Sequence, residues 1–310
     1  MIRMDSIRHH FDANETLFLQ RQLESIDSKL YEFKERELKY REYIPVDNSD
    51  SPGAESITYR MLTNVGMAKI IANYGRDIPR ADAYMSEFSQ KVKTLATSFG
   101  YSTQEIRAAQ MAGVSLDSLK VTSARRAMRE LESRIAWLGD DEFGMTGFLN
   151  NTNVPTVAAT TGNWTSATTV ANILIDFELG TNLVVSQSLG IHKADTCLMP
   201  LPQYQVCATK RLDTTMDMTV LEWMQRPGNP YGIKHIGYLT GELELAFVGG
   251  TKDGVVFYER DPEVLQQKIP MEMITQPMQA VGLEFQVPCE ARNAGVVIRY
   301  PLACCFLTGV

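Results

Sequence analysis

The apolar residues Leu116, Leu119, Ala124, Ala127, Met128, Leu131, Ile135 and Leu138 recur at helical spacing and form one stripe. Arg125, Arg126, Arg129, Glu130, Glu132 and Arg134 occupy the opposite face. The pattern predicts an amphipathic helix over 116–138, ended by Gly139. At 1.5 Å per residue it is about 35 Å long, the dimension of a spine through a flat subunit. Weaker helical patterns cover 104–112, with Ser102 or Thr103 as cap, 166–188, with a bend at Gly180, and 219–225. Near the start, Phe18, Leu19, Leu23, Ile26 and Leu30 follow a cap at Asn14 with the same spacing. From Lys29 to Glu42 five basic and four acidic residues intermix, which marks a solvated or interface-facing surface.

Alternation with a period of two appears next. Ile57, Tyr59 and Met61 alternate with polar residues over 56–62, and Met67, Ala68, Ile70 and Ile71 lie in an extended segment over 66–74. With Thr63 and Asn64 as the turn between them, these segments predict a long hairpin. Turn residues at 47–54 and a loop at 76–82 containing Pro79 flank it. An isolated hairpin is marginal in water, so this one leans either on its own core or on a neighbouring subunit. Further strands are predicted over 233–239, 243–248, 255–258, 281–287 and 296–307, with a hairpin turn at Asp253 and Gly254. The threonine-rich stretch 152–169 reads as loop or short strand, and 227–230 as a turn. The mixture makes the chain α+β.

Composition narrows the function more than the fold. The 310 residues are 44% hydrophobic and 22% charged, ordinary values for a globular protein with a substantial core. The net charge of −7 argues against a protein that grips nucleic acid by neutralising many phosphates. Residues 1–11 have no apolar region of the signal-peptide kind, and no stretch approaches the roughly 20 apolar residues of a membrane span. The five cysteines, Cys197, Cys207, Cys289, Cys304 and Cys305, contain no C-x-x-C pair, so buried reduced thiols are expected.

A search for chemistry assigns no catalytic, cofactor-binding or metal-binding residue. No phosphate-binding loop, H-E-x-x-H or G-x-S-x-G motif occurs. Gly249 and Gly250 sit by a hairpin turn, where glycine serves backbone geometry. His9, His10, His192 and His235 form no ligand set, and Asp140, Asp141 and Glu142 read as a solvated helix exit. Trp137, Trp164 and Trp223 read as packing residues, since no basic cluster surrounds them.

Several segments, taken in order, resemble the major capsid proteins of tailed bacteriophages, in a branch close to the encapsulin nanocompartments. They are FLQRQLESIDSKLYE at 18–32, IPV at 44–46, GAESITYR at 53–60, VGMAKIIANY at 65–74 and DIPRAD at 77–82. FGYSTQEIRAA at 99–109, IAWLGD at 135–140 and GMTGFLNN at 144–151 complete the set. Their order and spacing carry the likeness, densely in the first half of the chain and in outline beyond it.

The resemblance implies an N-terminal arm over 1–43, an extended loop over 44–82 and a peripheral domain over 83–154 containing the spine helix. It also implies an axial domain over 155–270, and C-terminal strands over 271–310 that return to the peripheral domain. It implies a structural protein, not an enzyme, that associates with itself as hexamers and pentamers into an icosahedral head around double-stranded DNA. Its implied partners are a portal, a separate scaffold or decoration protein, and packaged DNA in weak non-specific contact, with no membrane and no cofactor. The implied location is the virion, assembled in the host bacterial cytoplasm. Lys69 and Asn293 match no cross-linking motif of the family. The alternative reading is the shell of an encapsulin-type compartment holding an enzyme cargo.

Overall fold

The computed structural model describes residues 35–70, 79–112, 117–213, 217–226, 233–240 and 254–310. Residues 1–37 and 38–310 are separate compact units, and every described helix and strand belongs to the second. The helical pattern expected over 15–34, the turn at 227–230 and the strand at 243–248 lie outside the described residues.

A one-turn helix, α1 (Tyr40–Tyr43), leads into strand β1 (Val46–Asp47). The hairpin follows as β2 (Ser56–Val65) and β3 (Asp82–Lys91), and β4 (Lys93–Ser102) continues directly from it. Helices α2 (Thr103–Ala112) and α3 (Asp117–Leu138) come next, then β5 (Thr156–Ala158), α4 (Val170–Gln187) and β6 (Thr196–Pro200). The chain goes on through α5 (Leu201–Thr209), α6 (Val220–Gln225), β7 (His235–Leu239), β8 (Gly254–Tyr258) and β9 (Leu265–Lys268). It closes with β10 (Met271–Thr275), β11 (Gln279–Val281), β12 (Glu284–Asn293), β13 (Val296–Ile298) and β14 (Cys304–Thr308).

The core is organised by a five-stranded sheet in the order β5-β14-β8-β6-β7. Strands β6, β8 and β14 are buried at every position, because both faces of the sheet are covered. Leu198, Val256, Tyr258, Cys304 and Phe306 point to one side, where they pack with Tyr40, Trp137 and Phe148. Cys197, Val255, Phe257, Cys305 and Leu307 point to the other side, against Ile173, Phe177 and Val184 of α4. Gly180 lets α4 approach this sheet: a Cβ there would lie 2.3 Å from the Phe257 ring. The helix is not interrupted at Gly180, and it starts at Val170 behind its cap Thr169.

A second sheet pairs β4 with β12 along ten residues each, and β10 and β11 share the far edge of β12. Helix α3 packs over it through Met128 and Ile135, which join Leu95, Met145 and Ala291. The helix ends where expected, at Gly139, whose φ of +68° suits glycine.

Several expectations are corrected. The hairpin does not turn at Thr63 and Asn64: both lie inside β2, and its partner is the polar strand β3, with Tyr59 opposite Phe88 and Thr63 opposite Tyr84. Residues 66–70, expected in the return strand, are not in a strand, and the hairpin extends past 82 to Lys91. The strand expected over 281–287 is broken at Gly282, where φ is +64°, so that β11 folds back on β12. The run 296–307 is split by a 3-10 turn at Pro301–Ala303. The last strand, β14, does not return with β12 but enters the five-stranded sheet, where its all-apolar pattern is buried on both faces. On α3, Leu131 is exposed and Glu132 is buried, the reverse of the amphipathic reading, because tertiary partners await Glu132. The expected surface at 29–42 also turns inward at its end, where Tyr40 joins the core.

Candidate functional site

The hairpin is a described part of the molecule whose side chains are hardly used by the fold. Cross-strand pairs place Ile57, Tyr59, Met61 and Val65 on one face with Phe88 and Tyr84. Tyr59 and Phe88 stack at 5.3 Å with their planes 19° apart. The other face pairs Arg60 with Glu87 at 2.7 Å and Leu62 with Met85. At about 3.4 Å per residue the ribbon runs roughly 34 Å, yet of its twenty residues only Ile57 is buried. Tyr84, Met85 and Leu62 are each at least 60% exposed. A ribbon that exposes Leu62, Val65, Tyr84, Met85 and Phe88 to water calls for a partner surface.

The base of the ribbon is anchored firmly. Ile57, Val92 and Ala294 form a small buried cluster, and the Val92 amide donates to the Glu55 carbonyl at 2.9 Å. Gln90 Nε2 donates to Thr146 Oγ1 at 2.9 Å, and Arg292 donates to the Pro52 carbonyl. Beside the base, Lys268 pairs with Asp47 and, at 3.1 Å, with Asp50. Burial works to raise the Asp47 pKa, but hydrogen bonds from Lys268 and Ser49 and the Lys268 charge bring it down to about 2.

Where the chain enters the large unit, charged side chains lock it to α3. The Arg41 guanidinium donates to both carboxylate oxygens of Glu272, at 2.9 and 2.8 Å, and to Glu132 at 3.1 Å. The hydrogen bonds that Arg41 donates, the one to Glu272 above all and then those to Tyr40 and Glu132, hold its pKa above the ordinary value against the effect of burial. A second buried carboxylate, Asp176 on α4, organises the threonine-rich loop. It accepts hydrogen bonds from the Thr160 amide, the Thr161 hydroxyl and Trp164 Nε1, at 2.8, 2.5 and 3.0 Å. Neither carboxylate was singled out from the sequence, since an acid amid helical periodicity signals only an exposed face.

The residues singled out for chemistry are dispersed. Asp140 caps its own turn by accepting from the Glu142 and Phe143 amides, and Asp141 and Glu142 are exposed. His192 Nδ1 lies 2.7 Å from Glu259, whereas His235 is exposed on β7. Lys69 is exposed beyond β2, and Asn293 is sealed at the end of β12, its Oδ1 accepting from the Gly295 amide. His9, His10, Gly249 and Gly250 lie outside the described residues. Among the described residues no three His, Cys, Asp or Glu side chains converge as a metal site. Trp137 and Trp164 are buried and Trp223 packs against the same core as Trp164. All five cysteines are buried and free, and burial raises the thiol pKa of each.

The family model described as Major capsid protein matches residues 66–310. The chain belongs to the major capsid protein family. Among solved structures, this capsid protein is similar to the capsid of the Myoviridae phage XM1, at 21% identity and a TM-score of 0.81, over 96% of this chain and 100% of that one. It is also similar to the capsid of an empty GTA particle, at 11% identity and a TM-score of 0.63, over 93% and 96% of the two chains. A structure from Mycobacterium phage Bobi matches at 12% identity and a TM-score of 0.62, over 92% and 94%. The comparison with curated proteins returns no match. The fold is thus the phage capsid fold, and a capsid protein serves as a virion component that associates with copies of itself. The encapsulin alternative is not favoured. The matching family is that of capsid proteins, and the virus-like particle from Pyrococcus furiosus is less similar, with a TM-score of 0.53.

Proposed function

We propose that this capsid protein builds the icosahedral head of a tailed phage, associating as hexamers and pentamers around packaged double-stranded DNA. The observation that carries the reading is the ribbon of β2 and β3, which exposes its apolar side chains and of whose residues only Ile57 is buried among the described residues. Laid across a neighbouring subunit, Tyr59, Met61, Val65, Tyr84 and Phe88 would remove several hundred square ångströms from water. At about 25 cal/mol per Å² that is of order 10 kcal/mol per subunit before ordering costs. The hairpin is then the extended loop, α3 with the β4–β12 sheet the peripheral domain, and the segment from α4 to β8 the axial domain. The role is structural and uses no catalytic residue, metal or cofactor. A portal and a separate scaffold or decoration protein complete the head, and assembly takes place in the host cytoplasm.

Electron microscopy of the purified protein tests this directly. Closed shells with five-fold vertices are expected. A stable monomer under all conditions of concentration and salt would overturn the proposal.

A further inference from the structure

The net charge of −7 conceals a local surplus of the opposite sign on α3. Arg125, Arg129 and Arg134 are exposed, and none has an ion pair among the described residues. The acids around them are already engaged. Glu130 pairs with Arg126 at 3.0 Å, and buried Glu132 is held by Tyr40 and Arg41. Glu272 faces the Arg41 guanidinium, with Arg129 adding only a more distant attraction. Arg125 and Arg129 lie one helical turn apart and line a recess of about 190 Å³ between α3 and β10, together with Met128, Met273 and the Arg41–Glu132–Glu272 cluster whose carboxylates are already engaged.

The kind of partner follows from what this face lacks. Protein interfaces have apolar centres depleted of charge, whereas interfaces with nucleic acid are polar and strongly positive. On the described exposed face of α3 the one large apolar side chain is Leu131, which is 37% exposed. The other exposed apolar residues among those described lie off this helix, on the hairpin and at scattered positions such as Met111 on α2, Phe143, Leu189 and Ile274 on β10. Guanidinium groups spaced along one helix suit a phosphodiester backbone, which asks for charge and donors but no sequence-reading contacts.

We propose that the exposed face of α3 receives the backbone of duplex DNA, with Arg125, Arg129 and Arg134 each neutralising a phosphate, so that α3 lines the inside of the shell. The inference rests on the shell reading above and adds a sidedness that the subunit alone leaves open. Three contacts make the binding weak and strongly salt-dependent, in keeping with a lining that must not immobilise the genome.

The test uses the full-length, unassembled subunit and a fluorescent 30-base-pair duplex of random sequence, titrated between about 50 and 200 mM salt. One variant carries Arg125→Gln, Arg129→Gln and Arg134→Gln. A control carries Lys193→Gln, Arg211→Gln and Lys234→Gln, which lowers the net charge equally at exposed sites away from α3. Each lost phosphate contact removes about 0.9 from the slope of log K against log salt, so the α3 variant should lose up to about 2.7. The wild type should therefore weaken roughly forty-fold more than that variant across this salt range, and the control should follow the wild type. Equal losses in both variants would show a bulk-charge effect and overturn the proposal. Unchanged binding by the α3 variant would overturn it too, and if that variant also failed to form shells, the face would be a contact between subunits. Electron microscopy of the wild type reports separately on the shell reading, so its failure is distinguishable from failure of the DNA contact.

Discussion

The Tyr40 hydroxyl donates a 2.7 Å hydrogen bond to Glu132, a carboxylate on α3 that is 2% exposed. Arg41 shares the same oxygen and grips Glu272 on β10, so two neighbouring residues tie the entry of the chain to the spine helix and the second sheet. Burial, and then the Glu132 carboxylate, push the Tyr40 phenol far above its ordinary pKa, which keeps it a donor.

Breaking this lock should destabilise the subunit before it affects any surface. Tyr40→Phe removes the buried hydrogen bond to Glu132 and the one the hydroxyl accepts from Arg41 Nε at 2.9 Å, and should cost about 1–2 kcal/mol. Glu132→Ala leaves the buried hydroxyl without its acceptor and should cost about 2–4 kcal/mol. Urea unfolding of unassembled subunits measures both. Midpoints equal to the wild type would mean that the network contributes nothing to stability.

The hairpin should behave in the opposite way. Tyr59→Ala combined with Phe88→Ala removes a stacked pair that is worth about 1 kcal/mol within an exposed ribbon. The unassembled subunit should therefore melt almost as before, while shell formation requires at least ten times more protein or fails. Replacing residues 58–89 with a short glycine linker should have the same two effects, because Ile57 and Val92 keep their buried cluster. Unfolding of either variant would show that the ribbon belongs to its own core. Intact shells at the wild-type concentration would show that it is dispensable for closure.

Asp47 links the hairpin base to pH. Its folded pKa of about 2 lies below the roughly 3.9 of an unfolded aspartate, so its contribution is complete above about pH 4. That contribution is lost as the pH falls from about 4 to about 2. Asp47→Asn should be less stable than the wild type at neutral pH, and the gap should narrow across this window. A gap that stays constant from pH 6 to pH 2 would show that Lys268 does not hold the Asp47 charge.

The spine helix, α2, α4, α6 and the class were legible because each depends on local periodicity and caps, whereas α5 and the one-turn α1 were not read from the sequence. The α3 pattern ends at Gly139, as its positive φ requires, and Thr219 caps α6 in a reciprocal pair with Glu222. The hairpin was legible only in its first strand. Residues 82–91 hold few apolar side chains and face water, so nothing local distinguished them from loop, whereas 66–74 carried the apolar signal without forming the partner strand within its described part. The buried carboxylates were invisible for the same reason: burial of Glu132 depends on Tyr40, 92 residues away, and burial of Asp176 on Thr160, Thr161 and Trp164.

By itself, then, the order of residues determined where α2, α3 and α6 lie, which thiols and tryptophans are apolar filler, and to which family the chain is similar. Only the tertiary structure decided which strand pairs with β2, that β14 crosses into the five-stranded sheet, and which charges on α3 remain unneutralised. The physical reason is range. Periodicity and capping act within one or two turns of chain, whereas strand partnership, burial of a carboxylate and cancellation of a charge depend on groups brought together from distant positions.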